Sequence, residues 1–349
     1  MEAEPTYKEL SQNERLKQQN RELKKQLGEL MLADARTDAL VEAIQTEVAV
    51  REPVPPARLK KLGRGVMQMG GVLDLGDWHY GEVVDAKATG GTHQYNTEIA
   101  KERFDYTIDE AIRLAQMYEI QELDVVLGGD MISGNIHTDL ERHNEVMTIE
   151  QTLGMAEVTY SGLEKLCQAF AEVRVHGVSG NHARMDKVPY FKKKQVENLD
   201  YLMYKICEQK GKDQPNLKFN IPESIWTVFE TQGRAFLTLH GDTNRHQNSM
   251  GISFYSLEKF LRTFALEGYV GNIPKFDDMI THHLHTAADI PVGELTIFVN
   301  GSGKGPDEYS GGGLRPQSRA QQRFLAVGAG KVVGSHLIDL EHIGKPDGS

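Results

Sequence analysis

The sequence predicts an α/β protein of four layers, with two β-sheets packed face to face and helices on both outer surfaces. Two observations predict it. From about residue 66 to residue 222, strand-like apolar runs alternate with helical stretches, and beyond residue 222 the texture changes to short strands interrupted by one helix. In addition, five short stretches of oxygen and imidazole donors each follow a run that reads as a buried strand. Donors at the C-terminal ends of several strands converge on one sheet edge, where open α/β folds build their sites.

The elements follow in order. A strand over 71–76 leads to the first donor stretch, and a helix over 97–119 carries Ile99, Phe104, Ile108, Ile112 and Ala115 on one face. A strand over 123–128 leads to the second stretch. A long helical region, 145–170, precedes a strand over 172–178, the third stretch and a helix over 195–210. Strands are then expected over 224–230, 234–240, 278–281, 294–299, 323–328 and 335–340, with a helix over 250–266 among them. Residues 301–322, rich in Gly, Ser, Arg and Gln, read as a long loop near the site edge.

The N-terminal 1–50 differ. Leu16, Leu23 and Leu30 recur every seven residues, with Asn13, Asn20 and Leu27 between them. Leucine at d and asparagine at a favour a parallel two-stranded coiled coil over 6–32, and hence a homodimer; a single solvated helix, or a helix folded against its own domain, is the alternative. A second helical stretch, Thr37 to Val48, follows. Pro53, Pro55 and Pro56 then break the chain into a linker over 51–65, which carries the basic residues Arg58, Lys60, Lys61 and Arg64. The main domain is expected over 66–345.

The chain has 349 residues, enough for a large core, and a net charge of -11 from 39 basic and 50 acidic side chains. That balance argues against tight nonspecific binding of nucleic acid by the whole surface and leaves room for a local basic groove. No run of eighteen apolar residues predicts a transmembrane helix. The start, Met1-Glu2-Ala3-Glu4-Pro5, lacks the basic and apolar regions of a secretory signal, so a cytoplasmic protein is expected. Cys167 and Cys207 fall in helical segments and read as free thiols.

The donor stretches are Asp77-Trp78-His79, Gly129-Asp130, Gly180-Asn181-His182, His240 and His283-Leu284-His285. Asp77 and His79, two apart on a turn, can reach one cation. The two oxygens of Asp130 can bridge two cations, and Gly129 gives the backbone room to turn. Asn181 offers a neutral carbonyl oxygen, and His240, His283 and His285 complete a set able to hold two divalent ions side by side. Such a pair activates water and neutralises a phosphate. The donors are oxygen and imidazole without thiolate, which suits Mn, Fe or Zn better than Ca.

This order of motifs resembles that of the calcineurin-like metallophosphoesterase superfamily, over roughly residues 70–305. Ile132-Ser133-Gly134-Asn135-Ile136-His137, Glu197-Asn198-Leu199-Asp200, and Asn300-Gly301-Ser302 with Asp307-Glu308-Tyr309 further resemble a group carried by tailed bacteriophages and prophages, described as repair-exonuclease-like. The resemblance implies the same four-layer sandwich. It implies that Asp77, His79, Asp130 and His285 hold one metal, and that Asp130, Asn181, His240 and His283 hold the other. It implies manganese, with zinc, iron and magnesium as alternatives. His182 is expected to face the substrate and protonate the leaving oxygen while a metal-bridging hydroxide attacks phosphorus in line. Asp186 is the nearest carboxylate in sequence that can orient it. His137 is a candidate substrate contact.

One position departs from the superfamily pattern. Residue 282 is His where the pattern has Gly, and its side chain is expected on the other face of the strand from His283.

Three functions compete. A phosphodiesterase acting on nucleic acid or nucleotides is favoured by the phage resemblance, the coiled coil and the lysines Lys187, Lys192, Lys193 and Lys194. A phosphomonoesterase or protein phosphatase is disfavoured, because Met131-Ile132-Ser133-Gly134 and Ala183-Arg184 replace the continuations V-D-R-G and G-N-H-E. A non-catalytic scaffold is disfavoured by retention of every ligand.

Overall fold

The structure, a computed structural model, describes residues 50–58, 67–136, 138–188, 192–242, 254–307 and 318–345. The chain divides into two compact units, Met1–Ala49 and Val50–Ser349. The first unit, with the heptads of 6–32, lies outside the described residues, as do His137 and most of the basic run 58–64.

The second unit is the expected α/β/β/α sandwich. Its strands are β1 (Met69–Leu75), β2 (Glu122–Leu127), β3 (Glu172–Gly177), β4 (Leu217–Asn220), β5 (Trp226–Thr231), β6 (Arg234–Leu239), β7 (Asp278–Thr281), β8 (Ala288–Val292), β9 (Leu295–Val299), β10 (Gln321–Gly328) and β11 (Lys331–Asp339). Its helices are α1 (Thr97–Met117), α2 (Thr138–His143), α3 (Thr148–Ala169), α4 (Leu199–Lys210) and α5 (Phe254–Tyr269). None of the described helices is long and apolar enough to cross a membrane.

One sheet runs β11-β10-β1-β2-β3-β4 and the other β5-β6-β7-β9-β8. In the first, β1 through β4 are parallel; in the second, β6, β7 and β9 are parallel. Parallel strands covered on both faces read as continuous apolar runs, which is why β1, β2 and β3 were visible in the sequence. Between the sheets, Val72, Val126, Leu325 and Val327 pack on Phe229, Phe236, Ile280 and Phe298. Burial of each stabilises the sandwich by about 1.5–3 kcal/mol. Leu257 and Leu261 of α5 cover the outer face of the second sheet at Leu237, Leu239, Met279 and Ile297. Helices α1 and α3 cover the first.

Three elements escaped the sequence reading. Strand β8 contains Pro291, which argues against a strand, but β8 lies at a sheet edge where a proline is tolerated. It pairs with β9 through the tight turn at Gly293, whose φ is 67°. Strand β4 and helix α2 are only 4 and 6 residues long. Helix α4 begins at Leu199, later than expected, because Asn198 caps it, its side chain accepting from the Asp200 N–H.

Residues 51–57 run against the sandwich. The Val54 N–H donates to the Gln214 side chain at 2.8 Å, the Gln214 amide returns a bond to the Val54 carbonyl at 3.0 Å, and Arg51 pairs with Glu157 and Glu164.

Candidate metal centre

The parallel strands β1, β2 and β3 of one sheet and β6 and β7 of the other end at the same side of the sandwich. The loops that follow them carry all seven expected ligands. The first loop is zipped to the second: the N–H groups of Asp77, His79 and Tyr80 donate to the carbonyls of Gly129, Asp130 and Met131, each at 3.0 Å. The second and third loops touch backbone to backbone, since a Cβ on Gly129 would lie 2.3 Å from the Gly180 nitrogen. Here glycine is required by the close approach, and at Gly129 also by a φ of 88°.

Asp77, His79, Asp130, His283 and His285 all have left-handed backbones, with φ of 52°, 47°, 49°, 71° and 58°. Asp and His are among the residues that reach this region more readily than others, but each such residue carries a conformational cost. Five such residues in one cluster aim their side chains inward where a regular strand end would turn them away.

The donors gather in three overlapping groups: Asp77, His79 and His285; His79, Asp130 and His182; and Asp130, His240 and His283, with ligand atoms in each within 4.8 Å of one another. His79 Nε2 lies 3.0 Å from His285 Nε2, and His285 Nε2 lies 3.5 Å from Asp77 Oδ1. Across the site, His240 Nε2 is 3.1 Å from Asp130 Oδ2 and 3.2 Å from Asn181 Oδ1. Two ligands about 2.1 Å from one cation and at right angles to each other stand about 3 Å apart, so this spacing suits shared coordination.

A second observation tests the fit of metal ions to these residues. Asp77 Oδ1, Asp130 Oδ2 and His79 Nδ1 are buried and have no well-aligned hydrogen-bond partner. The other carboxylate oxygens are used: Asp77 Oδ2 accepts from the His283 N–H at 2.9 Å, and Asp130 Oδ1 accepts from the His182 N–H at 2.7 Å. A buried carboxylate oxygen without a partner costs free energy that a cation would return. The residues therefore fit divalent metals.

The electrostatics point the same way. Burial would raise the Asp130 carboxyl, but the charges of His240 and His182 hold it well below the usual range. Burial opposes the charge on His240, but Asp130 beside it lifts the imidazole to about 10. The proton on His240 thus occupies the electrostatic place of a cation. Burial, followed by the charge of His182, pushes His79 well down; burial, followed by the charge of His240, lowers His283 to about 4. Neutral imidazoles are the ligating form.

His182 is half-buried beside the centre. Its Nδ1 lies 3.0 Å from the Ser133 carbonyl and its ring meets that of His79 edge-on, with centroids 4.4 Å apart. Ser133, not Asp186, orients it: the Asp186 carboxylate accepts from the Val188 N–H in an exposed turn.

His282 points away from the metals, as expected of the opposite strand face. Its Nε2 sits 2.7 Å from Asp74 Oδ1 between the sheets, and both residues are fully buried. The ring fills space left by two glycines. A Cβ would lie 2.5 Å from it at Gly76 and 2.0 Å from it at Gly128.

Asn300-Gly301-Ser302 lies beneath the first loop. The Asn300 amide donates to the Asp74 carbonyl and the Ser302 hydroxyl to the Asp77 carbonyl, both side chains being fully buried. Lys304, also buried, joins Glu82 and Asp307 at 2.8 and 2.7 Å, and Glu82 approaches His79 Nδ1 at 3.7 Å. Of the lysine run, Lys194 is largely buried against Asp242 and Lys193 lies 3.4 Å from Glu197. Sequence reasoning gave no role to Lys304, Glu82 or the carbonyl of Ser133, because none forms a metal-ligand pattern.

No family profile matches the chain. Among curated proteins it is similar to an uncharacterized SPbeta prophage-derived protein, YonJ, of Bacillus subtilis (strain 168), 19% identical over 283 residues. The match covers 79% of this chain, which spans 65% of the length of that relative. Among solved structures it is similar to Vps29 complexed with zinc from Entamoeba histolytica, with 14% identity, 77% of this chain and 99% of that one covered, and a TM-score of 0.34. It is also similar to YfcE, a phosphoesterase from E. coli, with 14% identity, coverage of 76% and 98%, and a TM-score of 0.33. A predicted phosphoesterase from Streptococcus pneumoniae TIGR4 has 11% identity, coverage of 80% and 95%, and a TM-score of 0.34. Its five donor motifs stand in order at the strand ends of a two-sheet sandwich, the arrangement that the resemblance to the calcineurin-like metallophosphoesterases implies.

Proposed function

We propose that the protein is a phosphodiesterase that uses two divalent metal ions, expected to be manganese, and acts on nucleic acid or nucleotides. The observation that carries this reading is the pair of buried carboxylate oxygens without a well-aligned hydrogen bond, Asp77 Oδ1 and Asp130 Oδ2, each facing imidazole nitrogens in a buried cluster. Asp77, His79, Asp130 and His285 would hold one ion, and Asp130, Asn181, His240 and His283 the other. When bound, the ions would activate water and neutralise phosphate charge.

The chain's own residues do the rest. The Gly128 carbonyl, 2.8 Å from His240 Nδ1, and the Ser133 carbonyl, 3.0 Å from His182 Nδ1, fix how these two rings face the site. With Nδ1 of His182 turned to a carbonyl, Nε2 is the atom that would hold a proton for the leaving oxygen. Asp77, His79, Asp130 and His240 are buried, whereas Asn181, His182, His283 and His285 are part-exposed, so the substrate would approach from their side.

Hydrolysis of a panel under added Mn²⁺ tests the reading: bis-p-nitrophenyl phosphate, p-nitrophenyl phosphate, cyclic nucleotides, and single- and double-stranded DNA. Turnover of the diesters and of DNA is expected to exceed that of the monoester. Hydrolysis of the monoester alone would replace this reading with a phosphomonoesterase. Metal binding without hydrolysis of any of them would leave a scaffold.

A further inference from the structure

We propose that Asp200 is a positioning residue that holds the second and third metal loops at the separation the ion pair requires. The inference rests on the two-metal reading above. Asp200 lies in the first turn of α4 and is fully buried. Its Oδ2 accepts from the N–H of Asp130 at 2.9 Å and of Gly180 at 3.0 Å, and its Oδ1 accepts from the N–H of Met131 at 3.2 Å. One side chain thus serves as acceptor for both loops, which come from different strands and carry the bridging carboxylate and the carboxamide ligand.

The surroundings show why an acceptor is needed there. Gly129 and Gly180 press their backbones together; a Cβ on Gly180 would stand 2.3 Å from the Asp130 nitrogen. At that approach the inward N–H groups of the two loops face the same point and cannot bond to each other. Left alone they would be buried donors without partners, each costing about as much as a lost hydrogen bond. A carboxylate satisfies them together and draws them to a common centre. Asn198, the cap of α4, completes the clamp: its amide donates to the Gly180 carbonyl at 2.8 Å while its carbonyl oxygen accepts from the Asp200 N–H at 2.8 Å. Burial and the charge of Asp130 raise the Asp200 carboxyl to about 7, while the N–H groups of Gly180 and Asp130 oppose that rise and the helix N-terminus favours the ionised form.

The clamp makes a specific demand on metal binding. The ion assigned to Asp130, Asn181, His240 and His283 takes ligands from both clamped loops. The ion assigned to Asp77, His79, Asp130 and His285 takes ligands from only one of them. Loosening the clamp should weaken the former more than the latter.

The experiment is calorimetric titration of Mn²⁺ into the full chain after chelator treatment, for the wild type, Asp200→Ala and Asp200→Asn, with melting of the metal-free proteins measured alongside. Asn keeps the size of the side chain but, whichever way its amide turns, sets an NH2 donor against a loop N–H, so Asp200→Asn answers the question should Asp200→Ala fail to fold. The expected result is a loss of about 10–100-fold in affinity for one of the two ions, with a smaller change for the other, in the range seen when outer partners of ligands are removed. Asn216→Ala is the control, because the Asn216 amide supports the Cys167 and Phe170 carbonyls at the end of α3, away from the metal loops. It should lower the melting temperature and leave the ratio of the two affinities unchanged. Wild-type affinities for both ions in a folded Asp200→Asn, or a ratio of affinities that shifts equally in Asn216→Ala, would overturn the proposal. A wild type that binds fewer than two ions would instead overturn the two-metal reading.

Discussion

Gly128→Ala should be strongly destabilising in the wild type and nearly harmless in a chain that lacks the His282 ring. The new methyl would lie 2.0 Å from His282 Nε2 and 2.1 Å from its Cε1, against an ordinary contact of 3.4 Å or more. The ring cannot retreat, since it is fully buried and its Nε2 is held 2.7 Å from Asp74. A displacement of more than 1 Å in a closed interlayer belongs at the upper end of overpacking costs, about 3 kcal/mol. His282→Ala alone leaves Asp74 as a buried charge without its partner and opens a ring-sized gap, which costs about 3–5 kcal/mol. In the double variant the methyl enters that gap. The two changes together should cost about as much as His282→Ala alone, so the cycle carries a coupling of about 2–3 kcal/mol. Urea unfolding of the chelator-treated proteins, with equal slopes across the set, measures it. Costs that add to within about 0.5 kcal/mol would refute the argument that Gly128 exists to seat the ring.

Three further outcomes are expected. Asp130→Ala should reduce Mn²⁺ stoichiometry from two ions toward one or none in metal analysis, whereas Asn181→Ala should weaken chiefly one ion; two tight ions in Asp130→Ala would remove its bridging role. His182→Ala should keep both metals and lose about 10²–10⁴-fold on diesters with poor leaving groups, and less on p-nitrophenyl esters, whose leaving oxygen needs no proton; equal losses on both would count against the acid role. Burial opposes ionisation of Asp124, but hydrogen bonds from Arg174 and His176 outweigh it and hold the carboxyl below its ordinary value. The stability this supplies is complete above the unfolded pKa of about 4 and is lost as pH falls through the lower folded value. The gap in melting temperature between wild type and Asp124→Asn should therefore be constant above about pH 5 and shrink toward pH 3; a gap that widens on acidification would reverse the sign.

The site was legible because metal ligands must be a few residue types and because buried parallel strands announce themselves as apolar runs. Asp77, Asp130, Asn181 and His240 follow such runs directly. Asp200 was not legible as a clamp, since its partners are backbone N–H groups up to 70 residues away, which leave no pattern of side chains. The departure at His282 could be seen in the sequence, but the pairing with Asp74 and the two glycines that admit the ring depend on how the sheets face each other. The same holds for Ser133, whose contribution to His182 is a carbonyl that every residue possesses. Strand β8 was hidden by Pro291 because edge positions cannot be told from central ones before the strand order is known.

The metal centre straddles a seam. Asp77, His79, Asp130 and Asn181 hang from one sheet, and His240, His283 and His285 hang from the other, yet the distances that matter cross between them. Sliding one sheet over the other by a single ångström would pull His285 from His79 and His240 from Asp130 together. An apolar interlayer alone resists such sliding weakly, because grease has no preferred alignment. Here polar rivets pass through it, two of them ending on a carboxylate of the first sheet. At the end remote from the site, the Thr231 hydroxyl donates to Asp124 at 2.6 Å, and close behind the site His282 meets Asp74 at 2.7 Å. Each joins a strand of one sheet to a strand of the other. The sandwich is thereby a calibrated frame, aligned in part by bonds that never touch a metal or a phosphate.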